Sequence, residues 1–159
     1  MVLKDDNVKA KPFVKWVGGK SQLLDEVRRS LPVDLSRRKG ITYVEPFVGG
    51  GAVLFWILQE FPNIERAVIN DINRELVCTY SVIKNKVEAL IDVLAEYQAS
   101  YLTLNDDDRK DYFLEKRSRY NEHPESDVET AALFIFLNRT CFNGLYRVNS
   151  KGAFNVPFG

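Results

Sequence analysis

The sequence is poor in the residues that build metal centres and cross-links. Its two cysteines, Cys78 and Cys141, stand far apart with no paired-ligand spacing. That pattern excludes a disulfide framework or a thiolate zinc site as the organising device, so no metal is expected and a reducing, intracellular setting is. The one histidine, His123, sits in a polar stretch before Pro124 and is expected at the surface. No apolar run approaches the length of a membrane span, and the charged N-terminus lacks the apolar core of a signal peptide. No membrane partner is therefore expected. Neither sign of charge dominates, with 22 basic against 22 acidic side chains. The total thus neither demands nor excludes a nucleic-acid partner, because a local basic face matters more. No two of the six prolines are adjacent, so any motif built on Pro-Pro is absent.

What is present is globular material. Of the 159 residues, 45% are hydrophobic and 12% aromatic, enough for one domain, or one domain with a small insertion, around a real core. Charge is uneven along the chain. Lys4, Lys9, Lys11, Lys15 and Lys20 crowd the N-terminus against Asp5 and Asp6, whereas the stretch from Asp106 to Glu129 is acid-rich. On charge alone, a solvated surface and a nucleic-acid face stay equally open.

Hydrophobic spacing predicts a helix from about Ser21 to Leu31, ended by Pro32. A β-rich run, Ile41 to Phe47, flows into Val48-Gly49-Gly50-Gly51 and then an apolar helix from about Ala52 to Glu60. Arg66 to Asp71 reads as a second strand, and a helix starting near Asn73 breaks and resumes through Tyr97. Strand, glycine turn, helix, strand is the opening βαβ unit of a doubly wound sheet. Beyond Tyr101 the character changes. Asn105 to Asp108 signals a helix start, and Ser126-Asp127-Val128-Glu129 has capping-box spacing. The helix it opens, to about Arg139, is apolar on every side and should be buried. After a turn at Asn143-Gly144, the segments Leu145–Val148 and Ala153–Val156 read as a β-hairpin.

The glycine turn carries the first chemical signal. Glycine there permits positive φ and close approach of a ligand to the backbone. Asp71 follows about 20 residues on, the offset expected of a carboxylate that accepts from a ribose diol. The dinucleotide fingerprint is not met, because Leu54 stands where its last glycine would be. A cofactor with one ribose and no pyrophosphate, such as S-adenosylmethionine, suits the pattern better. A plain tight turn remains the competing reading. At the N-terminus, Gly19-Lys20-Ser21 matches the end of a phosphate-binding loop. The required glycine five residues earlier is Val14, which leaves a nucleotide-hydrolysing enzyme as a weak alternative. Lys20 at a helix start can still meet a carboxylate. Trp16 can stack on an adenine ring or plug the core.

Five segments in order resemble the Dam-type DNA adenine methyltransferases. They are Lys15-Trp16-Val17-Gly18-Gly19-Lys20, Val44 to Gly51, Asn70-Asp71-Ile72-Asn73, Leu137-Asn138-Arg139 with Phe142-Asn143-Gly144-Leu145, Arg147 and Asn149, and Gly152 to Gly159. The resemblance implies an α/β, Rossmann-like methyltransferase domain with a helical DNA-recognition insertion carrying the hairpin. Residues 1–100 would form the first part of the S-adenosylmethionine domain, and 101–159 the insertion. It implies cofactor contacts from Trp16, Lys20, Glu45, Phe47, Gly49 and Asp71. It implies DNA contacts from Lys15, Arg139, Phe142, Asn143 and Arg147, with Phe142 as a wedge and Arg147 as a guanine reader. Phe142 stands where the family often has tyrosine, keeping the ring and dropping the hydroxyl. The implied reaction is methyl transfer to the exocyclic amine of adenine in double-stranded DNA, in GATC by preference. The implied place is the bacterial or phage-infected cytoplasm, beside the nucleoid, in chromosomal methylation or restriction-modification.

The family's catalytic Asp-Pro-Pro-Tyr is absent from these residues. No catalytic residue is therefore named here. The expectation is a fragment that is inactive alone, folds poorly or self-associates, and belongs with a complementing C-terminal segment. A non-enzymatic DNA-binding module of the same fold is the alternative.

Overall fold

The computed structural model describes residues 9–159; Lys4, Asp5 and Asp6 of the N-terminal charge cluster lie outside them. The chain forms a mixed α/β arrangement that divides into two compact units. One takes residues 9–13 with Gly18–Asn70, the other Val14–Val17 with Asp71–Gly159.

In the first unit a tight 3-10 turn, Lys20–Leu23, leads into α1 (Leu24–Ser30). The predicted helix is there, with its first turn overwound. Asp25 and Glu26 at its start and Arg28 and Arg29 at its end complement the helix dipole. Leu31 is extended, as the residue before a proline must be. Strand β1 (Ile41–Glu45), helix α2 (Ala52–Glu60) and strand β2 (Ile64–Ile69) make the expected βαβ unit. The strands are parallel, with Tyr43 opposite Ala67 and Glu45 opposite Ile69. β1 stops two residues short of the expected Phe47, because Pro46 has no N–H to give a ladder. Two residues on, Val48 N–H donates to the Asn70 carbonyl at 2.9 Å, and Asn70 N–H donates to Glu45 O at 2.9 Å. These two bonds fix the turn against the end of β2. Val53, Leu54 and Ile57 bury one face of α2, and Arg28 joins α1 to α2 through Glu60 at 2.7 Å and the Trp56 ring at 5.2 Å. Val44 and Val68, paired across the strands, are both exposed. Strands of a parallel sheet are ordinarily covered on both faces.

The second unit is helical. Asn73 caps α3 (Arg74–Asn85) by accepting from Leu76 N–H at 2.7 Å. The expected interruption falls at Lys86, and α4 (Val87–Leu102) resumes at once. Asn105 caps α5 (Asp106–Asn121), and Ser126 caps α6 (Asp127–Thr140). Only half of the expected capping box forms. Ser126 accepts from Glu129 N–H, but the Glu129 carboxylate turns to Arg119 of α5 at 2.7 and 3.0 Å. A charged, bidentate partner makes the stronger bond. α6 is the axis of the unit. Ala131, Ala132, Leu133, Phe134, Phe136 and Leu137 are all buried, and α3, α4 and α5 pack around them. Tyr97, Tyr101 and Tyr112 meet Phe136 edge-on at 5.6–5.8 Å.

The expected hairpin is present only as one isolated antiparallel bridge, Val148 to Phe154; a second bridge, Cys141 to Phe158, lies outside the expected strands. Asn121 holds the outer edge of the second segment. Its side chain accepts from Phe154 N–H at 2.8 Å and donates to Phe154 O at 3.1 Å. A side-chain amide thus takes the backbone groups that another strand would need. Asn149 closes the loop by accepting from Lys151 and Ala153 N–H.

Candidate functional site

The first unit gathers its polar groups at the carboxyl end of β1. Strand alternation sends Tyr43 and Glu45 to one face. Glu45 is 6% exposed, yet its carboxylate is fully partnered. Oε1 accepts from Lys20 Nζ at 3.1 Å and Oε2 from the Tyr43 hydroxyl at 2.7 Å. Lys20 also donates to the Phe47 carbonyl. Two of its three N–H groups are thereby spent, and one remains for a ligand. Burial, and then the bond to Glu45, pushes the Tyr43 hydroxyl far above the ordinary phenol range. Beside this cluster runs the buried turn Val48–Gly51, with φ of 52° at Gly49 and 83° at Gly51. Gly51 is the left-handed N-cap of α2, a conformation only glycine adopts cheaply. Phe47, by contrast, is 72% exposed.

Of the remaining cofactor candidates, Asp71 and Trp16 belong to the second unit. Asp71 follows Asn70 directly in the chain, and its Oδ1 accepts from Asn73 N–H at 3.0 Å. That bond fixes the carboxylate just before α3. Trp16 is half-buried, stacked on Tyr146 at 5.4 Å and tilted against Phe134 at 6.0 Å. It is thus part of an aromatic cluster while still presenting surface.

The DNA candidates all fall in the second unit. Phe142, Asn143 and Gly144 form a 3-10 turn straight after α6, with Asn143 left-handed at φ 54°. Phe142 is 52% exposed although Cys141 before it and Gly144 at the end of the turn are buried. The turn is held from behind: Phe142 N–H donates to Pro157 O at 2.9 Å and Gly159 N–H to Thr140 O at 3.0 Å. Lys15 is brought against this turn. A Cβ at Gly144 would lie 2.5–2.9 Å from the Lys15 side chain, so only glycine admits it. Arg139 is exposed in the last turn of α6. Arg147 is exposed too, and its guanidinium is engaged by Asn155, at 2.8 Å to Oδ1 and 3.2 Å to O.

Two residues at these clusters were not singled out by sequence reasoning. Tyr43 is one; its period-two relation to Glu45 was the available signal. Asn138 is the other, present within the Leu137-Asn138-Arg139 segment but given no role of its own. It is 2% exposed, and its side chain accepts from Lys15 N–H at 2.8 Å while donating to Lys15 O and Gly144 O, both at 2.9 Å. A polar residue inside an otherwise apolar helix was the signal there. Among the described residues no group of side chains could hold a metal, and no helix is long and apolar enough to cross a membrane.

Comparison with known proteins gives a consistent picture. The sequence profile of the D12 class N6 adenine-specific DNA methyltransferase family matches residues 16–159. A type II methyltransferase, M.MjaIII, of Methanocaldococcus jannaschii is 45% identical over 96% of this chain and 53% of its own length. A type II methyltransferase, M1.LlaDCHI, of Lactococcus lactis is 38% identical over 99% and 51%. A DNA adenine methylase of Haemophilus influenzae is 38% identical over 96% and 48%. The chain spans about half the length of these relatives.

Proposed function

The chain belongs to the D12 class N6 adenine-specific DNA methyltransferases, and from that premise we propose that the protein carrying it methylates the exocyclic amine of adenine in double-stranded DNA, with GATC as the preferred site. S-adenosylmethionine is the methyl donor in this reading and supplies an electrophilic methyl group. The observation that carries it is the Lys20–Glu45–Tyr43 cluster, built around the buried Glu45 carboxylate, beside the turn that Gly49 and Gly51 make with positive φ. A backbone turn without side chains admits a close-lying cofactor, and the spare N–H of Lys20 suits the cofactor's carboxylate. Glu45 keeps that ammonium in place. Asp71, oriented by Asn73 N–H, is the carboxylate assigned to the ribose diol. Glu45, Phe47, Gly49 and Trp16 complete the proposed cofactor contacts.

The fold is Rossmann-like in this reading, with residues 1–100 serving the cofactor and 101–159 forming the DNA-recognition insertion. That division is one of role, whereas the compact units divide at Asn70. Lys15, Arg139, Phe142, Asn143 and Arg147 face DNA, Phe142 as the wedge that helps extrude the target base. The exposed apolar strip of Val44 and Val68 is the surface for a complementing segment. A DNA substrate sets the work in the cytoplasm, beside the nucleoid.

Calorimetric titration with S-adenosylhomocysteine tests the cofactor site. Asp71→Ala is expected to weaken binding by roughly tenfold or more, the loss of about one charged hydrogen bond. Lys20→Ala should act in the same direction. It also strips a partner from the buried Glu45 carboxylate, so its melting temperature is measured alongside and Asp71→Ala carries the decision. Selective binding of ATP, or undiminished affinity in Asp71→Ala, rejects the assignment.

A further inference from the structure

We propose that Asn138 is a positioning residue for DNA recognition, which locks the segment of Lys15 in register with the Phe142–Asn143–Gly144 turn so that both address the same stretch of duplex. The inference rests on the reading of this face as the DNA-binding surface.

The geometry is unusual for a helix interior. α6 is otherwise apolar where it is buried, and an unsatisfied amide there would be costly. Asn138 is 2% exposed and yet uses both amide hydrogens and its carbonyl oxygen. The oxygen accepts from Lys15 N–H and one amide hydrogen returns to Lys15 O, at 2.8 and 2.9 Å. This reciprocal pair is what a neighbouring β-strand would offer, so one side chain pins residue 15 in both rotation and height. The other amide hydrogen goes to Gly144 O at 2.9 Å. A single rigid group therefore spans two segments far apart in sequence, at Lys15 and at Gly144. The absent Cβ of Gly144 lets the aliphatic stem of Lys15 lie directly on the turn. The opposite side of that turn is braced by the bonds from Phe142 to Pro157 and from Gly159 to Thr140. Neither Val14–Val17 nor the turn belongs to a helix of more than one turn or to a strand. Their mutual register is thus set by Asn138 and not by a ladder.

No near-isostere can do the same. In the variant Asn138→Asp one carboxylate oxygen would face the Lys15 and Gly144 carbonyls in place of the donating amide, keeping volume while turning two hydrogen bonds into acceptor–acceptor repulsions. Asn138→Ser keeps a short polar group that cannot reach both segments. Misplacement of a contacting group by about 1 Å costs on the order of 100-fold in rate.

The test uses the full-length methyltransferase and duplexes with the preferred site or single-base substitutions of it. Asn138→Asp and Asn138→Ser are compared with wild type, Lys15→Ala and each double variant. The expected result is a loss of roughly 10- to 100-fold in kcat/KM on the preferred duplex. S-adenosylhomocysteine affinity should stay within about twofold, and base discrimination should fall at the same position that Lys15→Ala affects. The double variants should be no worse than the more damaged single one, since coupled residues do not add. Additive losses, or a lowered melting temperature with unchanged discrimination, overturn the proposal by making Asn138 a fold residue only. If Asn138→Asp does not fold, Asn138→Ser decides by the same criteria. Wild-type protein that methylates none of the duplexes defeats the functional reading itself, and that outcome is seen before any variant is measured.

Discussion

At the scale of single residues, the side chains assigned to DNA are not waiting idle. Arg147 is bound to both the side chain and the backbone of Asn155. Reading a guanine through O6 and N7 therefore requires exchanging one set of acceptors for another, or using the guanidinium N–H groups that Asn155 leaves free. The guanidinium is also pre-oriented by this contact, which reduces the entropy lost on binding. Arg147→Ala should cut discrimination at one guanine by about 1–3 kcal/mol, measured as the ratio of kcat/KM for the preferred and substituted duplexes. A uniform fall on all duplexes would make Arg147 a phosphate contact instead. Phe142 shows a different logic. More than half exposed beside the buried Cys141, it contributes little to the core, and its placement fits a side chain kept for a partner.

At the scale of elements, α6 joins the core of the second unit to the residues proposed for recognition. Its middle is the core of the second unit, its end carries Asn138 and Arg139, and the Phe142 turn follows directly from it. Phe134 lies at the junction, 2% exposed and packed on both Trp16 and Tyr146. Truncation to alanine at a buried phenylalanine costs about 3–5 kcal/mol. Phe134→Ala is expected to lower stability by that amount in chemical denaturation and to loosen Trp16, visible as a red-shifted tryptophan emission. An emission spectrum unchanged from wild type would show that Trp16 is held by Tyr146 alone. In the first unit the corresponding element is the turn between β1 and α2. Pro46 ends the strand, Gly51 opens the helix, and the Lys20–Glu45 pair closes the side between them.

Across the whole molecule, tyrosine hydroxyls that folding withdraws from water make stability depend on alkaline pH. Burial is the leading cause in each case. It raises Tyr43 and Tyr120 well beyond the phenol range and pushes Tyr97 up to about 12. In the unfolded chain these groups ionise near pH 10. A folded pKa above the unfolded one means that the unfolded state loses protons first as pH rises. Stability is therefore fully present below about pH 10 and falls steadily above it. Denaturant midpoints measured from about pH 8 to about pH 11.5 should be flat to about pH 10 and then decline. A midpoint that stays level throughout would mean that these hydroxyls ionise freely in the folded protein.

The sequence by itself determined the elements and the family. Period-3.6 and period-2 patterns placed the helices and strands within a few residues, because apolar spacing reports which side of an element must be buried. Caps at Asn73, Asn105 and Ser126 were equally legible, since capping is a local exchange between one side chain and the next backbone turn. The glycine turn and the ordered motifs carried the methyltransferase resemblance for the same reason. Tertiary structure alone decided what is joined across long separations. The half-formed capping box follows from Arg119 reaching Glu129, and the outer edge of the hairpin is closed by Asn121 on Phe154. The sharing of Glu45 between Lys20 and Tyr43, and of Lys15 and Gly144 by Asn138, belongs to the same class. A side-chain hydrogen bond between distant segments leaves no periodicity in the sequence. It exists only once packing has excluded water and made each buried donor find its acceptor.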